Sequence, residues 1–146
     1  MAQFKLKIVT PDKIFFDEDV NMLVATGTEG EFAILANHTP FVTLLKIGKI
    51  KIKENDTMKV AAIAGGYIVV KNNVAQVVSE ACEWVEEIDL ERAEHAKEKA
   101  EEMLRNASNE KEEKEAKEAL KRAINRIDMK IKNNLYDLKY TFHKPT

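Results

Sequence analysis

Hydrophobic and polar residues alternate through the first half of the chain, and this alternation stops near residue 86. At the start, Phe4, Leu6 and Ile8 alternate with polar residues, which is the pattern of a half-buried strand. Similar short apolar runs follow, separated by turn residues such as the pair Asn72-Asn73. Many short strands with frequent turns are typical of a sandwich or barrel. We therefore predict an all-β sandwich of about ten antiparallel strands at the N-terminus.

The same pattern predicts where the strands are interrupted. After a short strand at residues 14–16, the acidic run at residues 17–19 is expected to form a turn. Gly65-Gly66 is expected to form a bend or bulge between strands at residues 58–64 and 67–70, because glycine tolerates positive φ. Asn72-Asn73 is a signal for a tight hairpin.

From Asp89 onward the apolar residues recur at helical spacing and roughly half of all residues are charged. A polar link at residues 106–109 divides this region into two amphipathic helices, which we expect to pack as an antiparallel hairpin. The predicted apolar faces are Ala93, Ala96, Ala100, Met103 and Leu104 on the first helix, and Ala116, Ala119, Leu120, Ala123, Ile124, Ile127 and Ile131 on the second. The predicted domains are a β-sandwich at residues 1–86 and a helical hairpin at residues 87–146.

The first helical face consists mostly of alanine. Alanine favours helix strongly but buries little apolar area. The hairpin is therefore expected to be continuous as helix yet weakly held, so that it can leave one docking site for another at a cost of a few kcal/mol.

The junction between sheet and helix concentrates charged residues. Asp89 is placed to cap the first helix, and Arg92 and Lys99 are seven residues apart, beside the alanine face. On the second helix Arg126 borders the apolar face in the same way, and Arg122 lies one turn before it. Folded as a hairpin, these four cations can converge on a phosphate chain and a sugar or base. The alternative, that they are ordinary flanking cations with buried stems, is favoured by the spacing alone.

Composition excludes several classes of protein. The formal net charge is −2, with acids and bases interleaved, which argues against a nucleic-acid-binding protein. The single cysteine rules out an internal disulfide framework and fits a reducing compartment. No apolar run is long enough to span a bilayer and no signal peptide precedes the first strand, so we expect a cytoplasmic protein. No nucleophile, base or metal-ligand set is assembled in the sequence, so we expect neither a metal site nor an enzyme.

Several motifs, in this order, resemble one family. Residues 9–12 (VTPD) look like its opening strand and turn, and residues 30–40 (GEFAILANHTP) resemble the pattern G-x-x-G-I-L-x-x-H-x-P. Residues 65–70 (GGYIVV), followed by Asn73-Val74, and residues 88–93 (IDLERA) match two further motifs, the second being I-D-x-x-R-A of nucleotide-binding members. Over about residues 3–134 the chain resembles the epsilon subunit of bacterial F-type ATP synthase.

This resemblance implies a non-catalytic central-stalk subunit, peripheral on the cytoplasmic face of the plasma membrane and bound to it only through the complex. The subunit would couple proton- or sodium-driven rotation to ATP synthesis. Its sandwich would bind the gamma subunit and the c-ring, with Glu31 and His38 near those partners. Its helical arm would extend into the catalytic head of alpha and beta subunits and block ATP hydrolysis, with Lys121 and Lys130 meeting acidic surface there.

The resemblance further implies that ATP, as a regulatory ligand and not a required cofactor, holds the arm down. The implied contacts are Glu83, Ile88, Asp89, Arg92, Ala93, Arg122 and Arg126. A further arginine of the family falls on Lys99 here, which keeps the charge but loses the bidentate fork. The alternative is an assembly module with a static helical strut and no nucleotide sensing. The tail at residues 135–146 runs beyond the family's usual end, and Tyr136 and Tyr140, one turn apart, predict that the second helix continues.

Overall fold

The structure is a computed structural model that describes the backbone of residues 2–143 and the side chains of residues 2–138. The chain divides into two compact units, one ending at Trp84 and one beginning at Val85.

The first unit is the predicted β-sandwich. The described residues form eight strands: β1 (Phe4–Val9), β2 (Ile14–Val20), β3 (Met22–Gly27), β4 (Gly30–Leu35), β5 (Phe41–Glu54), β6 (Thr57–Lys71), β7 (Val74–Val78) and β8 (Cys82–Trp84). Their order is β2-β1-β7-β6-β5-β3-β4, with β8 paired to β6. All pairs are antiparallel except β1 with β7, which is parallel.

The long strands β5 and β6 hold the sandwich together. The first half of β6 pairs with β8 and its second half pairs with β7, while β5 follows it along its whole length. Alternate residues of these strands point into one apolar core together with Leu6, Leu23 and Ile34, which are almost wholly buried. Such a continuous core provides most of the unit's stability.

The predicted turn at residues 17–19 is wrong, because β2 continues through these acidic residues. In the antiparallel register Asp17 lies opposite Lys7 and Asp19 lies opposite Lys5. The Lys5 ammonium also lies 2.8 Å from a carboxylate oxygen of Asp17. Opposite charges across the strands make an acidic run compatible with the sheet.

The glycine pair bends a strand but does not interrupt it. Gly65 and Gly66 have φ of 77° and 114°, yet the register of β5 with β6 is the same on both sides of them, so there is no bulge. A Cβ on Gly66 would lie 1.9 Å from the Val78 carbonyl oxygen. Glycine is therefore required here for close approach to β7 as well as for positive φ.

The predicted hairpin at Asn72-Asn73 is confirmed. Both residues have positive φ, 51° and 61°, as a type I′ turn requires. The Asn73 side chain also accepts from the Asn37 N–H at 2.7 Å and donates to the Gln3 carbonyl at 3.0 Å. It thereby ties a loop and the N-terminal segment to the turn, a long-range role that spacing does not reveal.

The second unit is the predicted helical hairpin, preceded by a short 3-10 helix that we call the connector helix (Val85–Glu87). Helix α1 (Leu90–Arg105) and helix α2 (Glu110–His143) pack against each other, and α2 also packs against the connector helix. The polar link at residues 106–109 is confirmed, with Asn106 as the C-cap of α1. The predicted continuation of α2 past residue 135 is confirmed for the backbone. The side chains of Tyr140 and Phe142, and residues 144–146, lie outside the described residues.

Candidate functional site

Asp89 caps α1 as the sequence predicts. Its carboxylate accepts from the Arg92 N–H at 3.2 Å, and its carbonyl accepts from the Ala93 N–H at 3.0 Å. Arg92 then lies exposed on the first turn while Ala93 is buried. The I-D-x-x-R-A motif thus starts the helix, presents a guanidinium to solvent and packs a methyl group inward.

The residues proposed to contact ATP differ in accessibility. Seven of the eight lie in the helical unit, while Glu83 lies on β8 of the sandwich unit. Ile88 and Ala93 are buried at 3% and 4% exposure, so their side chains support the fold of the helical unit. Arg92 and Lys99 are exposed on α1, whereas Arg122 and Arg126 are half-buried on α2. The partial burial of Arg122 and Arg126 is consistent with the alternative that they are ordinary cations beside an apolar face. In that case their methylene groups cover apolar surface while their guanidinium groups reach solvent.

Most of the fully buried residues of α1 and α2 are alanine, while Leu104, Leu120 and Ile127 of the predicted faces are half-buried. The buried residues of the two helices, among those described, are Ala93, Ala100, Ala116, Ala123 and Met129. We call this set the alanine seam. Met103, Ile124 and Ile131, which the sequence pattern placed on the apolar faces, are about two-fifths exposed at 43%, 38% and 41%. The seam is therefore narrower than predicted, which reduces the apolar area that holds the helices together.

Lys99 lines an open groove of about 440 Å³ at the loop end of the hairpin. The other lining residues are Glu102, Met103, Asn106, Glu112 and Glu115. Three carboxylates and one ammonium give this groove a negative potential, which disfavours phosphate. Lys99 therefore lies in surroundings that do not favour the predicted anion.

The two lysines of α2 proposed as partner contacts lie in different surroundings. Lys121 is exposed. Lys130 is half-buried, and its ammonium donates to the carbonyl oxygens of Val85 at 3.4 Å and Glu86 at 3.0 Å. In this conformation the Lys130 ammonium therefore forms its hydrogen bonds within the helical unit.

The two sandwich residues proposed as partner contacts, Glu31 and His38, lie in different elements. Glu31 is exposed near the start of β4. His38 is half-buried in the following loop, where its ring meets Phe41 edge-on at 5.8 Å and its Nδ1 lies 2.7 Å from the Thr39 carbonyl oxygen. The ring contact and the hydrogen bond fix the imidazole in place.

An exposed apolar surface on the sandwich was missed by the sequence analysis. The strand registers align Ile14, Val9, Val78, Tyr67 and Leu44 in one row across five adjacent strands. We call this the apolar row. Ile14, Tyr67 and Leu44 are 58%, 43% and 63% exposed. The sequence pattern indicates each strand separately, and only the register shows that their outer residues form one surface.

Two classes of site are not found in the part of the chain that the structure describes. No three His, Cys, Asp or Glu side chains come together as a metal site there. None of the helices in that part is both long enough and apolar enough to cross a membrane.

Comparison with known proteins identifies two family domains. Residues 3–85 match the ATP synthase delta/epsilon chain β-sandwich domain, and residues 86–130 match the ATP synthase delta/epsilon chain long α-helix domain. The part of α2 beyond residue 130 lies outside the matched region.

Curated relatives match over most of their length. The ATP synthase epsilon chain of Caldicellulosiruptor bescii is 44% identical over 133 residues, which are 91% of this chain and 97% of the relative. That of Alkaliphilus metalliredigens is 52% identical over 128 residues, 88% of this chain and 96% of the relative. A chain in the cryo-EM structure of the Euglena gracilis mitochondrial ATP synthase shares the fold, with a TM-score of 0.71 and 24% identity over 86% of this chain and 79% of that chain. The chain therefore belongs to the ATP synthase epsilon chain family, whose members are non-catalytic subunits of the ATP synthase complex.

Proposed function

We propose that this protein is a central-stalk subunit that couples ion-driven rotation to ATP synthesis, and that its helical unit is a mobile arm which inhibits ATP hydrolysis. The alanine seam is the observation that supports a mobile arm. Four of its five buried residues are alanine, and an alanine side chain removes far less apolar area from water than leucine or isoleucine does. The two helices can therefore separate at a small fraction of the free energy that would be needed to open the sandwich.

The test of inhibition is deletion of the arm. Removing residues 89–146 leaves the strands intact, so the truncated subunit is expected to assemble. If the arm inhibits, ATPase activity of the assembled enzyme rises on deletion, while synthesis-competent assembly is retained. Unchanged ATPase activity would instead favour the static strut, the alternative in which the helices only brace the complex.

We propose that ATP is the ligand that keeps the arm folded. The supporting observation is that Arg92, Arg122 and Arg126 are carried by two packed helices of one unit. A ligand that binds only the folded form stabilises it by about 2.7 kcal/mol at a hundredfold excess over Kd, which changes the ratio of folded to extended arm by about a hundredfold.

Calorimetry and thermal melting of the full chain with millimolar ATP test the nucleotide site. Heat of binding and a raised midpoint are expected for the wild type and not for Arg122→Ala. The matched control is Arg105→Ala, since Arg105 is an exposed arginine at the end of α1, and it should bind like the wild type. Equal loss in both variants, or no binding by the wild type, would remove ATP from the proposal.

For the sandwich, we propose that the apolar row contacts the gamma subunit and that Glu31 and His38 lie toward the c-ring. Five strands contribute to the row, and an exposed apolar surface of this kind is typical of a protein interface. Through these partners the protein would sit at the cytoplasmic face of the plasma membrane without entering the bilayer.

A further inference from the structure

Lys130 joins the middle of α2 to the connector helix. Its ammonium donates to two successive backbone carbonyls, Val85 at 3.4 Å and Glu86 at 3.0 Å. The same Val85 carbonyl accepts from the Ile88 N–H at 3.3 Å. One side chain of α2 is thus bonded to the segment that leads from the sandwich into α1.

The hydrogen bond to Val85 is partly buried beside apolar residues, whereas the one to Glu86 is exposed. Val85 and Ile88 are buried at 5% and 3% exposure, and Met129, next to Lys130 in sequence, is buried at 9%. The Glu86 carbonyl lies in the last turn of the connector helix, where carbonyls generally lack helical partners, whereas the Val85 carbonyl also accepts from the Ile88 N–H. A hydrogen bond from a charged donor to such carbonyls is stronger than a neutral one, and more so where apolar side chains reduce access of water.

We propose that Lys130 is the latch of the arm: its ammonium holds α2 to the connector helix in the folded form, and it is released when the arm extends. This inference rests on the proposed mobility of the arm. The alanine seam lies between α1 and α2, whereas the Lys130 contact joins α2 to the segment before α1. Once α2 leaves the connector helix, the ammonium loses both carbonyls and becomes available to an acidic surface on a partner protein.

Hydrogen exchange of the full isolated chain tests the latch. Lys130→Met keeps an unbranched apolar stem and removes the charge and all three N–H donors. Loss of these charged hydrogen bonds is expected to speed exchange of residues 85–88 and 126–134 about tenfold, while the strands of the sandwich remain unchanged. Lys130→Arg retains donors and is expected to keep most of the protection.

Lys132→Met is the matched control, because Lys132 is an exposed lysine on the same helix and its loss changes net charge equally. Protection in Lys132→Met should equal that of the wild type. The latch is refuted if Lys130→Met exchanges like the wild type, or if the two methionine variants speed exchange equally.

A second measurement separates this inference from the proposed function. ATPase activity of the enzyme reassembled with Lys130→Met reports whether release of α2 changes inhibition. Faster exchange with altered ATPase activity supports both the latch and the inhibitory arm. Faster exchange with unchanged activity supports the latch and counts against inhibition, whereas unchanged exchange refutes the latch whatever the activity.

Discussion

At the scale of single residues, the thiol of Cys82 gives the clearest chemical prediction. Cys82 is half-buried in β8, and burial raises its pKa to about 12, although the nearby Glu83 backbone and Lys13 act in the opposite direction. The thiolate is the reactive form. At pH 8 the native thiol should therefore react with a disulfide reagent about a thousandfold more slowly than the thiol of the urea-unfolded chain.

The comparison is made by following reagent absorbance with and without urea. Equal rates in the two states would contradict the assigned environment of the thiol. Because the pKa is raised in the folded state, the free energy of unfolding should also fall as pH rises above about 9, where the unfolded thiol begins to ionise. Cys82→Ala should lack that part of the pH dependence.

A second residue-scale prediction concerns two neighbouring carboxyl groups. A hydrogen bond with Glu54, and then the negative charge of Glu54, raise the pKa of Glu18. Lys59, whose ammonium lies 2.9 Å from a Glu54 oxygen, lowers the pKa of Glu54. The contribution of Glu18 to stability is therefore present below its unfolded pKa of about 4.5 and is lost as pH rises through the higher folded value.

Glu18→Gln keeps a hydrogen-bond partner for Glu54 and removes the like charge. Its thermal midpoint should exceed that of the wild type at pH 7, and the difference should vanish at pH 4, where Glu18 is already protonated. Glu29→Gln, at an exposed residue in the turn before β4, is the control. A pH-independent gain in Glu18→Gln, or the same gain in the control, would rule out this explanation.

At the scale of elements, the polar link between the helices shows how local sequence ends one helix and starts the next. The Asn109 carboxamide oxygen accepts from the Glu112 N–H at 2.9 Å, and the Glu112 carboxylate accepts from the Ser108 N–H and hydroxyl at 2.9 and 3.0 Å. These hydrogen bonds satisfy N–H groups around the start of α2 that have no helical partner.

Asn109→Ala should therefore destabilise the start of α2 by about 1 kcal/mol, seen as faster hydrogen exchange over residues 110–114. Lys111→Ala, at an exposed position two residues later, should have little effect. The hydrogen bonds from Ser108 lower the pKa of Glu112, so its contribution is present above pH 4.5 and is lost as pH falls through the lower folded value. Exchange that is equally fast in both variants would mean that the cap does not hold α2.

The elements that sequence predicts well are those whose signals are local. The Asn72-Asn73 turn, the Asp89 cap and the link at residues 106–109 each depend on residues within one turn of each other. Residues 17–19 have the local composition of a turn, and the lysines that face them lie on another strand. Only the pairing of β1 with β2 supplies the opposite charges that keep an acidic run in the sheet.

At the scale of the whole molecule, the family and the two kinds of structure could be predicted from motifs and periodicity, but the surfaces could not. The apolar row joins residues that lie up to 69 positions apart in sequence, from Val9 to Val78. Likewise, nothing in the spacing of Lys130 indicates that its ammonium binds carbonyls about 45 residues earlier. Surfaces built from several strands or helices need the register and the packing, which one-dimensional patterns do not contain.

The apolar row yields a prediction for assembly. Leu44→Glu places a carboxylate in its most exposed part, where Leu44 lies opposite Tyr67. Burying an unpaired charge against a partner costs several kcal/mol, so the affinity for purified gamma subunit should fall at least tenfold. Because Leu44 is 63% exposed in the free chain, the thermal midpoint of the isolated protein should change little.

Met58→Glu provides the matched control. Met58 is also an exposed apolar residue, at 49% exposure, but it lies at the opposite end of β6 and outside the apolar row. Titration of gamma with each variant should separate the two, with Met58→Glu binding like the wild type. If Leu44→Glu binds gamma normally, the row is not the gamma surface; if both variants bind weakly, added negative charge on the sandwich, and not loss of the apolar row, is the cause.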